Sequence, residues 1–86
     1  MTKAFLDYNP VGQSLFILEE EGKEPHEMTM NMSSGNALVE AVCCELANAG
    51  VEVLYCSKTA MGLAPAIKQY VLTEYNNKTL DIQQYD

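Results

Sequence analysis

The sequence predicts one small α/β domain, with the α+β character of an antiparallel opening, built on a five-stranded mixed sheet in the order β-β-β-α-β-α-β. Three observations carry the prediction. Short runs of alternating apolar residues open the chain, an apolar stripe of helical period follows at 36–49, and a nearly continuous apolar run at 51–56 separates two helical patterns.

The first strand is expected over Thr2 to Tyr8, where Ala4, Leu6 and Tyr8 alternate with Lys3, Phe5 and Asp7, so that both faces carry apolar groups. Asn9-Pro10-Val11-Gly12 reads as a turn. Ser14 to Glu20 supplies a second strand through Leu15-Phe16-Ile17-Leu18, and Glu21-Gly22-Lys23-Glu24-Pro25 closes a hairpin onto a third strand from His26 to Met32. In that third strand Met28, Met30 and Met32 alternate with Thr29 and Asn31, which suits one buried and one wet face. Core packing is the favoured role for these methionines, since thioether side chains fill irregular gaps. A soft Cu(I) site with His26 is the competing reading.

Ser33-Ser34-Gly35 offers a hydroxyl cap for a helix from Asn36 to Ala49. Its stripe is Leu38, Val39, Val42, Cys43 and Leu46, with Asn36, Glu40, Glu45 and Asn48 opposite. Gly50 fits the left-handed position that ends helices. The run Val51-Glu52-Val53-Leu54-Tyr55-Cys56 then predicts a central parallel strand covered on both faces. After a Ser57-Lys58-Thr59 turn, a second helix tolerates Pro65 near its start, turns Leu63, Ile67, Tyr70 and Val71 inward, and stops at Asn76-Asn77. Lys78 to Asp86 closes the sheet through Leu80 and Ile82.

With 86 residues, the chain is expected to form a single domain, 1–86, with a modest core and no room for a separate cofactor domain. A 48% hydrophobic content favours a folded chain over a disordered one despite a net charge of -7. No run approaches the roughly 18 apolar residues of a membrane span, and the start has no signal-peptide core, so a cytoplasmic protein is expected. Three cysteines, two of them adjacent, suggest free thiols. Zinc-type ligand spacing is absent, and neither a metal nor a cofactor is expected.

Twelve carboxylates face five lysines, and arginine does not occur. Phosphate recognition rests on basic side chains, so direct binding of nucleic acid is disfavoured. The acids Glu19, Glu20, Glu21, Glu24 and Glu27 gather on the predicted hairpin, where Lys23 is the only local relief. A solvated hairpin is the plain reading of this cluster. The sharper one is a negative ridge that imitates nucleic-acid charge and meets a basic protein groove. The turn Ser57, Lys58, Thr59 is a candidate anion site where a strand feeds a helix, but it lacks the glycines of a phosphate loop, and the plain reading as a hydroxyl cap is favoured. Cys56 as nucleophile has no histidine near it in sequence.

The chain resembles the ribonuclease H-like fold in its order of elements. Asp7, the glycine-containing turn, the acidic hairpin and Ser34-Gly35-Asn36-Ala37-Leu38-Val39-Glu40-Ala41-Val42 look like the approach to the first helix of ribonuclease HI proteins. Val53-Leu54-Tyr55-Cys56-Ser57 looks like their fourth strand. The resemblance implies carboxylates that hold two divalent metals. Asp7 matches the first such position, but the helix acid would fall near Asn36 or Ala37 and the strand acid near Cys56 to Lys58, where no carboxylate stands. A rearranged set of Asp7, Glu40 and either Asp81 or Asp86 is the alternative. Leu46-Ala47-Asn48-Ala49-Gly50-Val51-Glu52-Val53-Leu54 and Met61-Gly62-Leu63-Ala64-Pro65-Ala66 are also similar to the accessory proteins of nitrogenase iron-molybdenum cofactor assembly, which share the fold. The histidine-glycine turn of that family is missing.

The expected function is that of a small acidic non-catalytic binding domain, an inhibitor or adaptor acting on a basic protein, in composition like small phage proteins that block nucleases. The alternatives are a divalent-metal nuclease and a small-ligand or metallocluster carrier. Two helices leave little to cover the second sheet face, so a twofold homodimer is expected to bury it.

Overall fold

In the computed structural model, which describes residues 1–31 and 34–85, the sheet is five-stranded and mixed, with two α-helices. The elements are β1 (Lys3–Asp7), β2 (Ser14–Glu19), β3 (His26–Met30), α1 (Gly35–Ala49), β4 (Val53–Cys56), a 3-10 turn (Ala60–Leu63), α2 (Ala64–Tyr75) and β5 (Asp81–Gln84). Across the sheet the order is β3-β2-β1-β4-β5. β2 runs against both its neighbours, while β4 is parallel to β1 and to β5.

Two tight turns set the antiparallel half. The Asn9 side chain accepts the Val11 N–H at 3.2 Å, and the Asn9 N–H donates to the buried Ser14 hydroxyl at 3.0 Å, tying the turn to the start of β2. On the second hairpin the Lys23 N–H returns to the Glu20 carbonyl at 3.1 Å, with Gly22 at φ 82°. That left-handed backbone is open to glycine at no steric cost.

Helix α1 begins and ends as its sequence demands. Ser34 is extended and its hydroxyl accepts the Ala37 N–H at 3.2 Å, while Gly50 takes φ 65° and the Val51 N–H reaches the Leu46 carbonyl at 3.0 Å. Leu38, Val39, Val42, Cys43 and Leu46 are its buried stripe. α2 starts on Pro65 in its first turn, where a missing N–H is harmless, buries Ile67 and Val71, and stops at Asn76 with φ 53°.

One core results. Ala4 and Leu6 of β1, Phe16 of β2, Leu54 and Cys56 of β4 and the apolar stripes of both helices form a single buried cluster. Met28 and Met30 of β3 join the same cluster, in keeping with packing, while His26 is exposed; Met32 lies outside the described residues.

Three expectations need correction. β1, not the 53–56 strand, sits at the centre, because β1 takes β2 through a hairpin on one side and β4 through the α1 crossover on the other. β4 is not covered on both faces: Leu54 and Cys56 are buried under the helices, whereas Val53 and Tyr55 are only half-buried. β5 is shorter than 78–86. The Asn77 side chain accepts the N–H groups of Thr79 and Leu80 at 2.9 and 3.0 Å, so residues 78–80 are held in a loop rather than on the sheet. Among the described residues no helix is long and apolar enough to cross a membrane.

Candidate interaction surface

The β2–β3 hairpin gathers the glutamates that the sequence singles out. Glu19 ends β2 with its Cα opposite Lys3, and the two side chains meet at 3.9 Å. Glu20 pairs with Lys23 at 3.1 Å, and Glu21 receives the N-terminal ammonium at 2.8 Å. That hydrogen bond, with the charge attraction behind it, raises the ammonium pKa and lowers the Glu21 pKa from their ordinary values. Lys23 is therefore not the only relief. The antiparallel register delivers Lys3 and the chain start to the same end of the sheet. Among the described residues, Glu24 and Glu27 have no ion pair, and both are exposed on or beside the edge strand β3. Because these charges lie in solvent, the existing pairs are screened and open to exchange with cations of a partner.

Among the described residues the alternative carboxylates Asp7, Glu40 and Asp81 do not come together. Asp7 alternates with the buried Ala4 and Leu6 and so lies on the face away from the helices, whereas Glu40 is exposed on α1, on the other side of the sheet. Asp81 pairs in register with Val53, and Val53 with Lys3, which puts it at the opposite end of the sheet from Asp7. Four residues along a strand and two strand spacings separate Asp7 and Asp81 by about 16 Å. Asp86 lies outside the described residues. Among those described, no three His, Cys, Asp or Glu side chains come together in a way that could hold a metal ion.

The Ser57-Lys58-Thr59 turn spends its polar groups internally. The Ser57 hydroxyl accepts the Ala60 N–H at 3.2 Å and shares a hydrogen bond of 3.0 Å with the Thr59 hydroxyl. The Ser57 carbonyl accepts the Met61 N–H at 2.9 Å, and the Ser57 N–H donates to the Leu6 carbonyl. Ser57 is buried, and its hydroxyl holds the first N–H of the 3-10 turn; Lys58 and Thr59 are exposed.

All three thiols are free. Burial pushes Cys56 up to about 11 and Cys43 up to about 12, so both are held in the protonated form, which does not attack, at neutral pH. Cys44 is exposed, with the Asn48 side-chain amide donating to its sulfur at 3.6 Å. In the native protein a thiol reagent is expected to modify one cysteine, Cys44, with Cys43 and Cys56 reacting only after denaturant is added. Mass spectrometry of the labelled peptides checks this, and rapid native labelling of all three would contradict the packing.

A further feature of the sheet completes the surface. Phe5, Leu15, Ile17, Val53 and Tyr55 occupy the strand positions that alternate with the core and project from the face opposite the helices. None belongs to the core cluster or packs against it. The Phe5 and Tyr55 rings stack at 5.2 Å between centroids, and Tyr85 meets Phe5 edge-on at 5.7 Å. Sequence reading gives β1 two apolar faces but does not place this patch beside the glutamates. The signal was present in Phe5, Ile17, Val53 and Tyr55; pairing register was needed to bring them together. Comparison with protein-family models, with curated proteins and with solved structures finds no match to this chain.

Proposed function

We propose that the chain is a cytoplasmic, non-catalytic binding domain on a reduced ribonuclease H-like core, acting as an inhibitor or adaptor on a protein with a basic surface. The succession of elements and a sheet in which β2 alone is reversed support the fold reading. The separation of Asp7, Glu40 and Asp81 favours binding over metal-dependent hydrolysis. One observation carries the proposal: five glutamates share one hairpin, Glu21, Glu24 and Glu27 of them exposed, and Glu24 and Glu27 have no ion pair among the described residues.

Concentrated charge acts over distance, steering encounter and raising association rates by roughly 10–1,000-fold. The triple variant Glu20→Lys, Glu24→Lys, Glu27→Lys is therefore expected to slow association with a basic protein isolated by pull-down on the wild-type chain at least about tenfold, with a smaller change in dissociation. Added salt should slow the wild type in the same way. Folding should hold, since exposed substitutions of this kind change stability within about 0.5 kcal/mol each. Surface plasmon resonance across a salt series reads both rates. An affinity indifferent to the reversal and to salt would reduce the ridge to a solvated hairpin.

A further inference from the structure

We infer that the uncovered face of the sheet is where that basic partner docks, and that it receives aliphatic or aromatic side chains set among lysines and arginines. The inference rests on the binding-domain reading above and adds the site and the chemistry of the contact.

Both helices lie on one side of the sheet and bury one core, so the other side is left with Phe5, Leu15, Ile17, Val53 and Tyr55, together with Tyr85. These side chains are half-buried against one another, except Tyr85, which is 45% exposed. An apolar platform rimmed by polar groups marks an interaction site more often than a chance surface. Stacked aromatic rings add rigid contact area of the kind that anchors interfaces.

Charge selects the occupant. Asp7, Glu19, Glu27 and Asp81 lie on the same face as the platform, and among the described strand residues the only cation there is Lys3, held between Glu19 at 3.9 Å and the Phe5 ring at 5.9 Å. A second copy would set one acidic rim against another. Nucleic acid would find rings to stack on, but phosphates would meet carboxylates. A protein patch with apolar side chains among cations satisfies both the platform and the rim, and arginine adds cation–π contact with the tyrosines.

Area and continuity agree. Five strands about 4.8 Å apart and about four residues deep span roughly 300 Å², well short of the ~800 Å² per partner of a stable interface. The face alone is too small, but Glu19 and Glu27 belong both to its rim and to the hairpin, so one partner can lie across the two.

The test is an NMR titration of the ¹⁵N-labelled chain with a twelve-residue peptide of alternating arginine and tryptophan, beside an equally charged peptide of lysine and serine. The expected result is shifts at the amides of Phe5, Ile17, Val53 and Tyr55 with the first peptide, and affinity at least tenfold weaker for the second. Ile17→Thr and Tyr55→Thr, which keep strand preference, should each weaken binding about tenfold, and Glu40→Gln on α1 should leave it unchanged. If either threonine variant melts early, Glu27→Gln with Asp81→Asn on the rim provides the same readout with a several-fold loss. Equal binding of both peptides, with shifts confined to residues 20–27, would leave the hairpin reading standing and overturn this one. Failure of both peptides to bind would count against both readings. Line broadening that grows with protein concentration in the absence of peptide would assign the face to a second copy. Shifts there with a twelve-residue thymidine oligonucleotide would assign it to nucleic acid. Either of these results overturns the inference.

Discussion

Phe16→Ala is expected to remove about 3–5 kcal/mol of stability, the range for truncating a fully buried aromatic side chain. Phe16 is 0% exposed, sits on β2 with Leu6 and Met28 as its register neighbours, and points into the one core the domain has. A chain of this length has about 4–13 kcal/mol in total, so the variant loses about a quarter of its stability or more. Each kcal/mol moves the melting temperature of so small a domain by about 4–8 °C. Circular-dichroism melts should therefore show a fall of well over 10 °C, and urea curves a lower midpoint with an unchanged slope. Phe5→Ala is the informative control. Phe5 lies one strand away on the uncovered face, where only its neighbours on that face shield it, and its loss should amount to about 1–2 kcal/mol, with the Tyr55 stack as part of that. Equal losses for the two variants would mean that the second face is covered in solution.

The contrast between these phenylalanines shows how far the sequence is legible. Elements with a local cause read well. The Ser34 cap, the five-residue stripe of α1 and the Gly50 stop are fixed by contacts within a few residues, and the structure places them where the pattern does. The start of β5 reads poorly because it is set by the Asn77 side chain, whose hydrogen bonds draw 78–80 off the sheet. No periodicity encodes that. Centrality reads poorly for a related reason. A continuous apolar run such as 51–56 suggests two covered faces, yet whether a second layer exists depends on how many helices the chain can supply, and here both pack on one side.

The surface divides in the same way. Clustering of Glu19, Glu20, Glu21, Glu24 and Glu27 on a hairpin follows from turn chemistry at Gly22 and is visible in the sequence. Its partial neutralisation is not, because Lys3 and the N-terminal ammonium reach it only through the β1–β2 register. Asp7 and Asp81 look equally available in the sequence, but they occupy opposite ends of the sheet. Surfaces formed by pairing are nonlocal, and the aromatic platform is set by strand register rather than by any local pattern.

Alkaline pH should destabilise the fold through the two buried thiols. Cys43 and Cys56 titrate at about 12 and about 11 in the folded chain, against an ordinary value of 9, because burial penalises the thiolate. Below pH 9 both states hold these protons and the thiols add no pH dependence. Between pH 9 and about 11 the unfolded chain has released protons that the native chain retains, so it binds fewer, and stability falls as pH rises. The limit is about 1.4 kcal/mol per pH unit for each thiol. Tyr70 and Tyr75 act in the same direction, since burial, with nearby acids for Tyr70 and nearby thiols for both, raises their pKa values. Urea unfolding at pH 8, 9, 10 and 11 under reducing conditions separates the contributions when wild type is compared with the Cys43→Ala, Cys56→Ala double variant. The variant should begin less stable at pH 8, having lost packed volume at two fully buried positions. From pH 9 to 11 it should then lose stability more slowly than wild type, by up to about 2.7 kcal/mol per pH unit, while both tyrosines remain in each protein. Parallel slopes would mean that water reaches the thiols, and with it that the core between the sheet and α1 is open rather than sealed.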